Sequence, residues 1–458
     1  MSGLFGVLST ALTSLSVSQD EMAVTSNNVA NANTPGYSRQ VADVAAGAPI
    51  TEGSVSFGTG VLLQKIESLR DPILEIQMNQ QTQQQSDLNT VLTQLQQIQT
   101  QFSSSASGIG ADISNFFNTV QQLAPDPTNL TLRQGVLSAA STLATDFNTA
   151  ANNLQTQRSG IDQNVVESVS QVNSLTAQIA NVDHQISTLP SGTAGSLVDT
   201  QTRLIRQLSG LIDVQVIPTD QGISVTTSNG TALVSGSQSF NLSKQLGSDG
   251  VQHIMAGTHD VTASLTGGSL AGLIQVRDQE IPSISSNLDQ LASGLATALN
   301  TANAQGYDLN GNKGGNIFVP PPAGGVGAAA ALTVSMTNPA LVAASSDGSV
   351  GGNGNLAVIS AVATQPLANG QTPIGSYSSI VFQIGSQTSN TSTDLDSANL
   401  ILQQLQDQRA SISGVSLNEE AANLIQYQTA YQAAAKVVSV VNALLLDAVN
   451  LGLGGTLG

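Results

Sequence analysis

The side chains best suited to metal chemistry lie in two short runs. Asp308-Leu-Asn310-Gly-Asn312 opens as a calcium loop does, with oxygen ligands at alternate positions. It then leaves that pattern, because Lys313 stands where a glycine must turn the chain and Val319 where a bidentate glutamate belongs. A plain Asx-rich turn is expected. His253 and His259, with Asp260 beside the second, offer nitrogen and carboxylate ligands, but lone histidines in a hairpin segment are ordinarily surface residues. We therefore expect no metal and no cofactor. The chain has no cysteine, which removes thiolate catalysis, sulfur ligands and disulfides together. HExxH, GxSxG and the phosphate-binding GxxxxGK are all absent. A glycosidase needs only two spaced carboxylates and escapes such patterns, yet without tryptophan the commonest sugar-stacking platform is missing. The residues point away from catalysis.

What the chain does have is patterned apolar helix at both ends. In the stretch from Ser413 to Gly452, steps of four and three give Leu417, Ala421, Leu424, Gln428, Tyr431, Ala435, Val438, Asn442, Leu445 and Val449. That is a coiled-coil seam, apolar at all but two positions. Ser416 followed by Glu419 forms a capping box, Glu420 adds negative charge at the helix's positive end, and the glycines from Gly452 stop it. From Gly3 to Val29, Leu4, Leu8, Ala11, Leu15, Met22 and Val29 recur at helical spacing, with Phe5 and Leu12 widening the stripe. Neither helix buries its stripe alone, so the simplest reading is that the two ends meet.

Asn27, Asn28, Asn31 and Asn33 crowd the end of the first helix and are expected to unwind it, since Asn competes with helical hydrogen bonds. Thr34-Pro35-Gly36-Tyr37 then reads as a type II turn, Pro presetting one position and Gly accepting positive φ at the next. The run NNVANANTPGYSRQ resembles the N-terminal motif of the bacterial flagellar axial proteins, meaning rod, hook and hook-associated proteins. SGVSLNEEAANLIQYQTAYQAAAKV resembles the matching C-terminal motif of that family, and together the ends look most like its hook-filament junction members. The likeness continues through DISNFFNTVQQLAPDPTNLTLRQGVLSAASTLATDFN and VNSLTAQIANVDHQI up to about Asn316, and thins from there to about Asp394.

With 458 residues the chain is long enough for two to four domains. Its net charge of −18 repels phosphate backbones, which argues against nucleic acid. Only 9% of residues are charged, so polarity rests on Ser, Thr, Asn and Gln, a surface suited to many weak contacts between repeated copies. No apolar run reaches the length needed to cross a bilayer, and no cleavable signal is evident.

The expected fold is mainly α with inserted β: terminal helices paired as a coiled coil, a long-helix bundle in the middle, and a small outer β domain. Residues 1–70 form the N-terminal axial segment of helix, turn and hairpin. Asp71-Pro72 opens a long helix as N-cap and first residue, and 71–211 make the bundle, with one helix from Asn129 or Thr131 to about Arg158 and another from Asp162 to Pro190. Alternating β-branched residues predict hairpins in an inserted β domain, 212–265, before a helical return over 266–316. The Gly/Ala/Ser-rich outer region 317–393 is expected to form loops and short strands, including one at Ile380 to Ile384. A bundle helix at 394–412 leads into the axial helix of 413–458.

The family resemblance implies a structural protein of the flagellum, exported unfolded without a cleaved signal and located at the hook-filament junction. Its implied partners are copies of itself, the hook protein, a second hook-filament junction protein and a flagellar export chaperone. The implied assembly interface comprises Leu4, Leu8, Leu15, Asn28, Asn31, Asn33, Pro35, Gly36 and Tyr37 at one end of the chain. At the other end it comprises Leu417, Glu419, Glu420, Leu424, Tyr427, Tyr431, Val438 and Leu445. A hook or rod protein, or a secreted adhesin or enzyme carried on flagellar-like ends, are the alternatives.

Overall fold

The computed structural model describes residues 2–52, 55–102, 108–189, 194–220 and 222–454. Helix α1 (Ser2–Asn31) is followed by strands β1 (Gln40–Ala46), β2 (Ile50–Glu52), β3 (Val55–Phe57) and β4 (Val61–Ser68). Helices α2 (Pro72–Phe102), α3 (Ile109–Leu123), α4 (Leu130–Thr188) and α5 (Gly195–Leu211) come next. Strands β5 (Gln215–Thr219), β6 (Gly222–Thr226), β7 (Ala232–Ser235), β8 (Gln238–Ser239), β9 (Leu242–Leu246), β10 (Gln252–Ala256) and β11 (His259–Asp260) follow. The chain then runs through α6 (Gly268–Gln275), a π-helical turn (Val276–Glu280) and α7 (Ile281–Gln305). It ends with α8 (Ala328–Ala331), α9 (Gly354–Ala361), α10 (Pro373–Ser413) and α11 (Leu417–Gly454). The fold is mainly α with small sheets, and the terminal helices α1 and α11 pack together. The chain divides into two compact units, one of residues 1–83, 171–242 and 399–458, the other of 84–170 and 243–398.

In the first unit, β1 and β4 pair antiparallel from Gln40 opposite Ser68 to Ala46 opposite Val61, with a bulge between Asp43 and Val44. This hairpin lies against α1 so closely that a Cβ on Gly60 (φ 97°) would sit 2.3 Å from the Thr13 hydroxyl. Strands β5 to β8 form a second, four-stranded antiparallel sheet in sequence order. Its attachment is a buried carboxylate: Asp183 of α4 accepts from the Gln201 amide of α5 (2.8 Å) and from the Ile223 N–H of β6 (3.3 Å). Gly222, at φ 112°, leaves the space this carboxylate needs, since a Cβ there would fall 2.0 Å from it.

The second unit is a bundle whose core includes Leu95, Ile98, Phe116, Phe147, Leu154, Leu288 and Leu295, all essentially without exposure. Its long loops are fastened by buried or half-buried asparagines that stand in for main chain. Asn300 accepts from the N–H groups of Ile317 and Phe318 and donates to the Phe318 carbonyl, each at 2.9 Å. Asn303 bonds Gly315 and Ala343, Asn355 bonds the carbonyls of Ala302 and Ala343, and Asn148 those of Ala329 and Leu332. The buried Arg133 guanidinium caps the carbonyls of Pro127 and Val342.

Helix starts follow the sequence. The Asp71 carboxylate accepts from the N–H groups of Ile73 (2.9 Å) and Leu74 (3.2 Å), and the Asn129 side chain does the same for Thr131 and Leu132. Three expectations are corrected. The two helices foreseen between Asn129 and Pro190 are one, because Gly160, placed in the foreseen gap, costs only propensity and the apolar period runs through it. Ile380 to Ile384 is helix rather than strand: α10 starts at Pro373, and Ile380, Ile384, Thr388, Leu395 and Ala398 are buried at three- and four-residue spacing, so packing outweighs β-branching. Between 317 and 393, an isolated Phe318–Val334 bridge and the helices α8, α9 and α10 stand where short strands were expected. The helix end foreseen at Pro190 and the tail beyond Gly454 lie outside the described residues.

The bundle also carries carboxyls that prefer a proton. Burial pushes Asp87 up to about 6, and its Oδ1 has no hydrogen-bond partner among the described residues. Burial, with the hydrogen bond and charge of Asp146, pushes Asp112 up to about 6. Folded-state values above the ordinary 3.8 mean that the native form binds protons more tightly, so stability is lowest above pH about 6. It rises as pH falls through 6 towards 4. The unit containing 84–170 and 243–398 should therefore melt several degrees higher near pH 5 than near pH 7.5, and Asp87→Asn should flatten that slope.

Candidate functional site

The two chain ends meet along a seam whose frame is one residue away from the expected one over half its positions. On α11, Glu420, Ala434 and Val441 are buried and Asn423, Tyr427, Tyr431, Val438 and Leu445 half-buried, in steps of three and four. Tyr431, Val438 and Leu445 thus lie where expected, while Ala421, Gln428 and Asn442 face outward. Leu417 (54% exposed) and Leu424 (38%) are also outside the contact. The frame shifts because Glu420, expected to add negative charge at the helix's positive end, is buried. On α1, Leu4, Leu8 and Leu15 are half-buried, Ala11, Val17, Val24, Thr25 and Asn28 buried, and Phe5, Leu12 and Val29 exposed.

A saturated polar node fixes the register. The Asn28 amide donates to the Gln40 carbonyl (2.9 Å) and to Glu420 Oε2 (3.0 Å), and its oxygen accepts from the Tyr37 hydroxyl (2.8 Å) and the Gln40 N–H (2.9 Å). Arg39 donates to Glu420 Oε1 at 2.7 Å, pairs with Glu419 at 3.1 Å, and uses its N–H to reach the Ser413 carbonyl. Glu419 therefore serves Arg39 rather than closing a capping box; only its N–H approaches Ser416 Oγ, at 3.5 Å. Burial, then the charges of Asp199 and Glu420, push Tyr37 up to about 12, so it stays a hydroxyl donor. Tyr427 is raised by burial and by Glu21 and Glu420.

The asparagine cluster ends α1 without unwinding it early. Asn27 and Asn28 are helical, because Asn28 spends its side chain on β1 and α11 rather than on its own backbone. Asn31 caps the end, bonding the Asn27 carbonyl and accepting from Thr34, while Asn33 and Pro35 are exposed. In the turn that follows, the Tyr37 N–H donates to the Thr34 carbonyl (3.1 Å) and Gly36 takes φ 84°. No atom lies within 4 Å of a Cβ built on Gly36, so a side chain there is opposed by backbone conformation alone. Gly36→Ala should cost about 1 kcal/mol and the β-branched Gly36→Val more, by about a further 1 kcal/mol. Thermal melts would measure it.

A second node braces the first, and sequence analysis did not find it. Arg409 of α10 donates to Glu75 Oε1 (2.7 Å), the Gly36 carbonyl (2.9 Å) and Ser38 Oγ (3.4 Å), and Glu75 also pairs with Arg206. Arg70 pairs with Asp199 at 2.6 Å and donates to the Gly195 carbonyl. Burial pulls Arg70 down and pushes Asp199 up, the mark of a desolvated pair. Arg39, Arg70, Arg206 and Arg409 are four of the chain's twelve basic residues. Such concentration in a charge-poor chain is the one signal that could have found them.

Beyond the nodes the paired ends turn apolar faces outward. Val437, Val440, Leu444, Leu446 and Val449 are 41 to 65% exposed. A groove of about 1060 Å³, lined by Phe5, Thr10, Phe57, Ala430 and Ala434 among others, lies where α1, the β2–β3 hairpin and α11 converge. The residues weighed for metal chemistry do other things. Asp308 accepts from the N–H groups of Asn310 (2.8 Å) and Asn312 (2.9 Å), an Asx turn closed by Gly311 at φ 78°. Among the described residues no group of three or more His, Asp or Glu could hold a metal ion.

Comparison with known proteins agrees with this geometry. Residues 95–318 match the family model described as flagellar hook-associated protein FlgK helical domain. Residues 8–37 match the flagella basal body rod protein model, and 406–451 the flagellar basal body rod FlgEFG protein C-terminal model. The chain is 28% identical to flagellar hook-associated protein 1 of Bacillus subtilis, covering 99% of this chain and 100% of that one. It is 25% identical to the protein of the same name in Escherichia coli, covering 97% and 99%. Among solved structures, the flagellar hook junction protein FlgK from Burkholderia pseudomallei superposes with a TM-score of 0.66 at 19% identity, over 74% of this chain and all of that one.

Proposed function

Because this chain belongs to the family of flagellar hook-associated protein 1, a structural family rather than an enzyme family, we propose that it forms the first layer of the hook-filament junction. It is a structural component of the flagellum that assembles with hook components. In this reading the subunit is secreted, adds to the hook tip beside copies of itself, contacts the hook protein on one side and a second junction protein on the other, and is carried to export by a chaperone. The axial interface comprises the terminal residues from Leu4 to Tyr37 and from Leu417 to Leu445, with the helical and β segments between forming the outer body. The observation that carries the reading is a pair of terminal helices whose mutual register is locked by buried polar bonds while their outer faces stay apolar. A helix apolar on faces that its own chain leaves open is one that a neighbour covers.

A null strain tests the proposal. Hooks without filaments, with filament subunits shed into the medium, are expected; hooks bearing normal filaments would end it. Complementation then separates the two faces of α11. Leu424→Asp, on the outer face, should leave the purified protein's melting nearly unchanged and abolish incorporation. Val441→Asp, at a position 4% exposed, should loosen α1 from α11 and lower the helical signal. Full complementation by Leu424→Asp would mean that the outer face is not where neighbours dock.

A further inference from the structure

His253, a residue that the assembly reading does not use, sits between two carboxylates. Its Nδ1 is 2.6 Å from Asp260 Oδ2, and its Nε2 is 3.2 Å from both oxygens of Asp249. A neutral imidazole has one N–H and one lone pair, and the lone pair would face a carboxylate with nothing to share. Only the imidazolium donates on both sides. The contact is built into the backbone as well, because a Cβ on Gly247 would lie 2.4 Å from Asp249 Oδ1 and 2.5 Å from His253 Nε2. Asp249 belongs to the turn closed by the Gly247 N–H on the Val251 carbonyl (2.8 Å), and Asp260 to β11, opposite Met255 of β10. The neighbouring residue, Gln252, is fastened separately: its N–H donates to Asp162 (2.9 Å) and its carbonyl accepts from Arg277 (2.8 Å).

We propose that His253 is a proton-operated latch, closed when the ring is charged, that ties the 247–251 turn to β11 and releases the turn in alkaline solution without detaching β10 from the bundle. The charged groups facing the ring are Asp249 from the turn and Asp260 from β11. The bonds to Asp260 and then Asp249 raise His253 above the usual histidine range. Asp260 is pulled down to about 2, first by Thr262 and then by His253, and Asp249 is lowered by His253 against the opposing effect of burial. A raised histidine gives stability that is complete below its unfolded value and lost as pH rises through the folded one. With a carboxylate on each ring nitrogen, the latch is shut at neutral pH. Gln252 is held by Asp162 and Arg277 and not by the ring, so it stays in place.

Imidazole nitrogen and carbon shifts, followed through a pH titration of the full chain, test the charge. Both ring nitrogens of His253 should be protonated at neutral pH, and Asp260→Asn and Asp249→Asn should each weaken its proton affinity by about three- to tenfold. Hydrogen exchange, corrected for base catalysis, tests the latch: opening of 247–251 should rise through the His253 titration, with Gln252 and Ile254 unchanged, and become independent of pH in His253→Gln. A singly protonated ring at neutral pH, or the same pH dependence in His253→Gln, would overturn the proposal. If His253→Gln does not fold, the shifts in the two Asn variants decide.

Discussion

Glu420→Ala should destabilise the paired chain ends by about 3–5 kcal/mol, the usual cost of removing one member of a buried, hydrogen-bonded pair. Glu420 is 1% exposed, and its carboxylate is the meeting point of Arg39, just before the first strand, and Asn28 from the first helix. Without it, the Arg39 guanidinium keeps only the exposed Glu419, and one N–H of Asn28 has no partner inside the chain. Glu420→Gln keeps the shape and loses the charge, so it should fall between alanine and wild type. Thermal melts should show Arg39→Ala and Glu420→Ala each lowering the transition, with the double variant costing less than their sum. Glu420→Ala within about 0.5 kcal/mol of wild type would show that the node is not what holds the ends together.

Arg277→Met should act on the other unit and by a similar amount, about 3–5 kcal/mol, or near 10 °C in melting temperature for a unit of this size. The chain widens into a π-helical turn at Val276–Glu280, a feature that persists where something rewards it. Here the reward is a guanidinium with no exposure, held by both oxygens of Asp278 (2.8 Å each), by Asp162 (2.7 Å) and by the Gln252 carbonyl. Methionine fills much of the volume but leaves the inward-facing Asp162 oxygen and the Gln252 carbonyl without that donor. Arg203→Ala, at an exposed position, is the control and should move the transition by less than about 0.5 kcal/mol. A small effect of Arg277→Met would mean that water replaces the guanidinium freely.

What the sequence carries is local. The cap at Asp71-Pro72, the turn at Pro35-Gly36 and the Tyr431, Val438, Leu445 edge of the last helix each follow from residues a few places apart, and each is found in the structure. The other edge of that helix was hidden because Glu420 has the chemistry of a surface residue, and only a partner 381 positions earlier makes it a buried one. Arg409 and Glu75 are separated in the same way, by 334 positions. Such pairs leave no periodicity. The helix through Ile380 was missed for the opposite reason: β-branched residues and the glycines at 375 and 385 speak locally for strand and loop, and burial of one face overrules them.

The asparagine fastenings of the bundle have a consequence for where such a protein can work. Asn148, Asn300, Asn303 and Asn355 hold the long loops through neutral amide-to-backbone bonds, tasks that other proteins give to ion pairs. Surface ion pairs weaken as dissolved salt screens them, whereas a neutral amide bonded to a carbonyl carries no net charge for salt to screen. The loops they secure should stay put from fresh water to brine.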